Sequence, residues 1–276
     1  MADVSIRELQ LFQLKILKEL DRVCKKCDIK YTLAYGSCLG AVRHEGFIPW
    51  DDDIDVQMLI DDYNKFTEAC KTELGDDFYF QSHEQNAQAY VYWNRIGVKN
   101  STSINLNMSH VHMEWGICID IFPIFVSTKE NLDKTKGYVR KLDLLSQKYY
   151  HANTIKDAKG SQKVKKFMHK LLPDCMNIAL FKHYLKKLSD TKGDETIALV
   201  STATSLVDEF DKKCFDEIID LPFEDVKLPC VKDYDSYLSR LYGEYMKVPD
   251  KIVTHTGGDD MLVILDEPYT KYLTNK

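Results

Sequence analysis

Residues 46 to 58 read Gly-Phe-Ile-Pro-Trp-Asp-Asp-Asp-Ile-Asp-Val-Gln-Met, and this stretch constrains the chain more than any other. Carboxylates at Asp51, Asp52, Asp53 and Asp55 crowd together, and like charges that close raise one another's pKa and cost stability unless a cation neutralises them. If Asp53 to Met58 is a strand, Asp53 and Asp55 point to one face, with Cα atoms about 6–7 Å apart. Ile54 and Val56 then point to the other. The apolar face demands a core and the acidic face a cleft. Two carboxylates so spaced can share a hard divalent cation such as Mg²⁺. An exposed acidic turn explains Asp51 and Asp52 by turn preference alone, but not the alternation that follows.

Metal-assisted phosphoryl chemistry needs further parts. Gly36-Ser37 falls between a predicted strand (Asp28 to Tyr35) and a predicted helical turn (Leu39 to His44), where backbone N–H groups and a hydroxyl can face phosphate oxygens. Asp120 is the one charge in Ile117-Cys-Ile-Asp-Ile-Phe-Pro-Ile-Phe125, and a buried lone carboxylate is expensive unless paired or metal-bound. Arg43 and Arg95 are candidates to hold phosphate in bidentate fashion.

The rest of the chain supplies a scaffold. Ser5 to Cys27 predicts a long amphipathic helix, with Ser5 and Glu8 at capping-box spacing. Asp61 to Leu74 and Tyr234 to Tyr245 predict further helices. Phe78 to Gln81, Tyr90 to Ile96, Ser103 to Leu106 and Gly116 to Val126 predict strands, the last closed by Pro123. At 276 residues, with 44% hydrophobic and 29% charged, the chain is ordinary globular material. One mixed α/β domain over 1–276 is expected, with a basic, mainly helical insertion at 129–215.

Charge is unevenly distributed. Lys129 to Lys192 holds 16 Lys/Arg and 6 Asp/Glu, a local balance of +10, against −16 over the remaining residues. The segment reads first as a solvated helical surface and second as a docking face for anionic headgroups or substrate. The overall charge of −6 speaks against a nucleic-acid partner. The eight cysteines lack framework spacing, so a reducing, cytoplasmic location is expected, with possible peripheral contact at the inner membrane face through 129–192. Cys24-Lys-Lys-Cys27 reads as packing thiols within the first helix, and His110-Val-His112-Met-Glu114 as a loop rather than a zinc site.

Three blocks together resemble the LicD family of bacterial phosphocholine transferases and eukaryotic fukutin-related transferases. They are Tyr35-Gly-Ser-Cys-Leu-Gly-Ala-Val-Arg-His-Glu-Gly-Phe-Ile-Pro-Trp-Asp-Asp-Asp-Ile-Asp-Val56, Gly116-Ile-Cys-Ile-Asp-Ile-Phe-Pro-Ile-Phe125 and Tyr237-Leu-Ser-Arg-Leu-Tyr-Gly-Glu-Tyr-Met-Lys-Val-Pro249. The resemblance implies a nucleotidyltransferase-like mixed sheet with flanking helices. It makes Asp53, Asp55 and Asp120 the metal and catalytic acids, with Mg²⁺ or Mn²⁺ as cofactor. It makes Gly36 and Ser37 the phosphate turn, with Arg43, Asp51 and Arg95 as further substrate contacts. The implied reaction moves an alcohol phosphate, such as phosphocholine or ribitol phosphate, from a CDP-activated donor to a glycan, teichoic-acid-type or lipid-linked acceptor, releasing CMP. The alternative on the same fold attaches a nucleotide to a small molecule or polymer. Lys247 and His255 match family positions only loosely and are assigned no role.

Overall fold

The computed structural model of the chain describes residues 4–149, 171–191, 195–200, 207–249 and 260–274. Helix α1 (Ile6–Lys26) begins where the capping box places it: the Ser5 hydroxyl accepts from the Glu8 amide, and the Glu8 carboxylate accepts from the Ser5 amide. Its apolar stripe buries Leu9, Leu17, Leu20 and Val23, as the periodicity predicts. Replacing Ser5 by Ala removes one of the two reciprocal caps, and should lower stability by about 1 kcal/mol in a urea titration.

The main sheet carries the site. Strand β1 (Thr32–Leu33) pairs antiparallel with β2 (Asp55–Leu59). Strand β6 (Cys118–Ser127) lies parallel to β2, with Asp55 opposite Asp120 and Leu59 opposite Ile124. On its other edge the first half of β6 pairs antiparallel with β4 (Asn94–Val98), which in turn pairs with β3 (Phe78–Gln81). The second half of that edge pairs antiparallel with β7 (Glu195–Val200), and β7 with β8 (Val207–Asp211). The remaining strands form two ribbons, β5 (Thr102–Asn105) with β11 (Met261–Ile264) and β9 (Ile218–Phe223) with β10 (Val226–Val231). This is the mixed α/β sheet the sequence predicts.

Two differences have clear physical causes. Pro123 does not close β6; the strand runs on to Ser127. Proline is tolerated there because its antiparallel neighbours change at that point, β4 pairing up to Ile121 and β7 from Ile124, so neither pairs with Pro123. The predicted strand Asp28 to Tyr35 shrinks to Thr32–Leu33, because helix α2 (Tyr35–His44) starts earlier than the apolar pattern indicated.

The face of β2 and β6 bearing Ile54, Val56, Ile119 and Ile121 is fully buried in the main core with α1 and α3 (Ile60–Ala69). Within 129–215, α4 (Leu132–Ser146) and α5 (Asp174–Ser189) pack together, and β7 and β8 extend the main sheet, so this stretch contributes strands as well as helices. Lys165 and Lys166 of the basic run lie outside the described residues, as does His255. The last helix, α6 (Tyr234–Tyr242), packs against α2. Among the described residues no helix is long and apolar enough to cross a membrane.

Candidate functional site

Strand register builds the centre of the site. Asp55 on β2 lies opposite Asp120 on β6, and Asp120 lies opposite Arg95 on β4, so the three form one row across three adjacent strands. Residues in register share a face, and the Arg95 Nε donates to Asp120 Oδ1 at 2.6 Å. Arg95 also stands over the Tyr90 ring, 5.5 Å from its centroid. The next row on the same face is Gln57 opposite Phe122, and Phe122 packs at 4.7 Å against Trp93 and edge-on at 5.7 Å against Tyr35. The charged row is therefore backed by aromatic rings, which lowers the local dielectric around it.

Asp53 precedes β2 in extended chain, and its carboxyl is pushed up to about 8 by burial first, then by the charges of Asp51, Asp120 and Asp52. Burial first, then the charges of Asp53, Asp120 and Asp51, hold the Asp55 carboxyl well above its ordinary value; Arg95 pulls the other way. Carboxylate oxygens of Asp51, Asp52 and Asp53 come within 4.8 Å of one another. Asp52 is 1% exposed, so the acidic turn is not the solvated feature that turn preference alone predicts. An all-oxygen set of crowded carboxylates is the donor chemistry that a hard divalent cation satisfies.

The turn itself is held from below by two glutamines of α1. The buried Gln10 amide donates to the Ile48 carbonyl at 3.0 Å and the Asp51 carbonyl at 2.8 Å, and the Gln13 amide to the Asp52 carbonyl at 3.0 Å. Sequence reasoning missed both. Their signal was two amides beside an otherwise apolar helical stripe, which is costly unless each meets a partner.

Gly36 and Ser37 do not form a turn before the helix; they lie in the first turn of α2. The Ser37 hydroxyl accepts from the Asp55 amide at 2.9 Å and so fixes the start of β2. A Cβ at Gly36 would fall 2.5 Å from Asp51 Oδ2, which places the Asp51 carboxylate directly against the helix start, where the dipole favours an anion. Gly36→Ala should push Asp51 out of the cluster. We expect at least a tenfold loss of divalent-cation affinity, measured by titration calorimetry, with little change in melting temperature.

Tyr35 opens α2 with φ +44°, a left-handed conformation that is strained for a tyrosine. Its amide donates to the Tyr237 hydroxyl at 3.2 Å, and that hydroxyl donates to Gln57 Oε1 at 3.3 Å. The fully buried Tyr237 thus ties α6 to both the helix start and β2. Arg43 sits at the other end of α2, about 10 Å along the axis from Gly36. Its guanidinium donates to the Tyr245 carbonyl at 2.7 Å, to the Lys247 carbonyl at 3.5 Å and to His44 Nε2 at 2.9 Å. His44 in turn packs edge-on against Trp50, next to Asp51. The structure thus brings Asp51, Asp53, Asp55, Asp120, Arg95, Gly36 and Ser37 together. It places Arg43 on the C-terminal Tyr-Gly loop instead.

His110 and His112 lie in a loop pinned by Asn86 and Gln88, and Cys24 within the first helix and Cys27 at its C-terminal cap are free thiols.

Residues 28–156, which hold this whole constellation except the α6 and α1 contacts, match the family model described as LicD/FKTN/FKRP, nucleotidyltransferase domain. Over 90 residues the chain is 39% identical to the lipopolysaccharide cholinephosphotransferase LicD of Haemophilus influenzae, a stretch covering 33% of this chain and 34% of that protein. Over 56 residues, 20% of this chain, it is 43% identical to the uncharacterized proteins RP689 of Rickettsia prowazekii and RT0683 of Rickettsia typhi, covering 20% and 18% of them. The matches thus span about a third or less of the length of each of these relatives.

Proposed function

Residues 28–156 belong to the LicD family, and from that premise we propose that the chain transfers an alcohol phosphate, with phosphocholine the first candidate, from a CDP-activated donor to a glycan hydroxyl, releasing CMP. The observation that carries this reading is the register row Asp55, Asp120 and Arg95 beside the Asp51–Asp53 cluster, a concentration of carboxylates inside the stretch that matches the family. The similarity to a cholinephosphotransferase of lipopolysaccharide supports the choice of transferred group and of a glycan acceptor.

Asp53 and Asp55, with Asp51 beside them, would hold a divalent cation, Mg²⁺ or Mn²⁺. Such a cation, when bound, neutralises diphosphate charge and lowers the cost of the leaving phosphate. The protein does the rest by positioning. Ser37 fixes the backbone of Asp55. Gln10 and Gln13 hold the acidic turn, so its carboxylates need no reorganisation when a charged donor arrives. Asp120, ion-paired with the Arg95 guanidinium at 2.6 Å, is placed to orient the acceptor hydroxyl or to complete the donor set. Lys186 and Lys187 on α5 belong to the basic segment, which we assign to attracting a lipid-linked anionic acceptor near a membrane surface.

The test is incubation of the protein and Mg²⁺ with CDP-choline, CDP-ribitol or CTP, each with a glycan acceptor, and identification of the released nucleotide. CMP from a CDP-alcohol is the expected product. Pyrophosphate from CTP, with nucleotide on the acceptor, would establish nucleotidyl transfer instead.

A further inference from the structure

Around Arg95 the acid face of the sheet holds hydrogen-bond donors that nothing in the chain receives. Gln81, the last residue of β3, lies opposite Arg95 and so extends the row of Asp55, Asp120 and Arg95 to a fourth strand. Its side chain is buried and its orientation is fixed: Oε1 accepts from the Glu114 amide at 2.8 Å, which leaves Nε2 as the free end. That Nε2 has no acceptor among the described residues. Trp93 precedes Arg95 by two residues, and its ring packs against Phe122, which puts it on the same face. The indole Nε1 can only donate, and it too is buried without an acceptor. Arg95 spends only its Nε, on Asp120; its two terminal nitrogens meet no acceptor among the described residues.

A buried N–H left unmet is a standing cost to the fold, and folded chains leave few of them. Of the five buried side-chain atoms without a partner among the described residues, three are N–H donors on this one face: those of Gln81, Trp93 and, beyond Phe122, Gln57. None of them turns to the carboxylates beside it, so the missing acceptor comes from outside the chain. Adjacent strands lie about 5 Å apart, and alternate residues of one strand about 7 Å, so the long side chains of Gln81 and Trp93 can meet one small group beside the Arg95 guanidinium. A water molecule accepts at most two hydrogen bonds, and a carboxylate is served by a guanidinium alone. A tetrahedral oxyanion offers enough oxygens, in enough directions, for a guanidinium and two neutral donors together.

We propose that Gln81 and Trp93, with the terminal nitrogens of Arg95, form a phosphate-binding subsite, the two neutral side chains each giving one hydrogen bond to a phosphate oxygen. The inference rests on the phosphate-transfer reading above and deepens it by naming two residues that hold the phosphate. Two sources can supply that group: the diphosphate of the donor, or a phosphate carried by the acceptor glycan.

Two variants each remove one donor and keep the packing. Gln81→Glu retains the oxygen that the Glu114 amide uses and replaces the free N–H by an acceptor. Trp93→Phe retains a ring against Phe122 and removes the N–H with no change of charge. Equilibrium dissociation constants of wild type and both variants are measured in Mg²⁺ for CDP against cytidine, and for glucose 6-phosphate against glucose. If the donor's phosphate is held here, both variants weaken CDP and leave cytidine within about twofold: Gln81→Glu on the order of tenfold or more, Trp93→Phe on the order of threefold or more. The same pattern with glucose 6-phosphate against glucose assigns the subsite to a phosphate on the acceptor. Weakening by Gln81→Glu alone is the effect of an added negative charge and overturns the inference. Equal loss of the phosphorylated and unphosphorylated probes overturns it too, as the mark of a disturbed fold, and so does no loss at all. Binding is read without turnover, so phosphate-selective loss in a protein that never releases CMP would refute the transfer reaction and leave the subsite standing.

Discussion

Asp55→Asn, and separately Asp53→Asn, should each abolish phosphate transfer, by roughly 10³-fold or more, while leaving the protein folded. Asparagine keeps the size of the side chain and removes the charge that a divalent cation needs. The fold should survive because both carboxyls are crowded by like charges and lose, rather than gain, stability from ionising. The pH dependence follows with a definite sign. In the folded protein Asp53 keeps its proton up to about pH 8, whereas an unfolded aspartate releases it near pH ~4. Between those values the folded state binds more protons than the unfolded state, so stability falls as pH rises through that window. Metal-free wild type should therefore melt at a lower temperature at pH 8 than at pH 5, and Asp53→Asn should flatten the difference. Added Mg²⁺ should restore wild type at pH 8 and do much less for the mutant. Near-normal turnover of either mutant at saturating Mg²⁺ would refute the assignment.

How far this site could be read from sequence depends on which force placed each part. The alternation of Asp53, Ile54, Asp55 and Val56 is a period-two pattern, and the structure turns Ile54 and Val56 into the core as that pattern requires. The capping box of α1 was equally legible, because it is local. The partnership of Asp120 with Asp55 on one side and Arg95 on the other is a matter of strand order and register. Those are set by packing between segments 25 to 65 residues apart, and no local pattern reports them. Pro123 misled for the same reason: its tolerance depends on where two antiparallel neighbours of β6 meet, which is a property of the sheet. Arg43 shows a different limit. Its charge and its place in the Tyr35–Val56 block fitted a phosphate contact, but the backbone carbonyls of Tyr245 and Lys247 are what reach it. A residue's chemistry constrains the kind of partner it takes, and the fold decides which partner is there.

Arg95 and Asp120 give the second large effect, and here the structure separates catalysis from stability. Their side chains are 15% and 22% exposed, so the pair is mostly withdrawn from water. Asp120→Ala leaves a guanidinium without its counter-charge and should cost roughly 3 kcal/mol of stability as well as activity. Loss of activity in that mutant alone would therefore prove little. Replacing both residues, as Arg95→Met with Asp120→Ala, removes the stranded charge and should recover most of the lost stability, yet remain inactive. Arg95→Met alone is the complementary case. Arg95 is the cation that opposes the upward push on the Asp55 carboxyl, so its removal raises that carboxyl further and leaves less of it ionised at neutral pH. The residual activity of Arg95→Met should be at least a hundredfold down at pH 7 and should rise with pH more steeply than that of wild type. Denaturant titrations of the single and double mutants, set beside their pH–rate profiles, measure both quantities. A double mutant that regains activity together with stability would show that Asp120 serves the fold alone. A pH profile of Arg95→Met that parallels wild type would show that Arg95 acts on the substrate and not on the carboxylates.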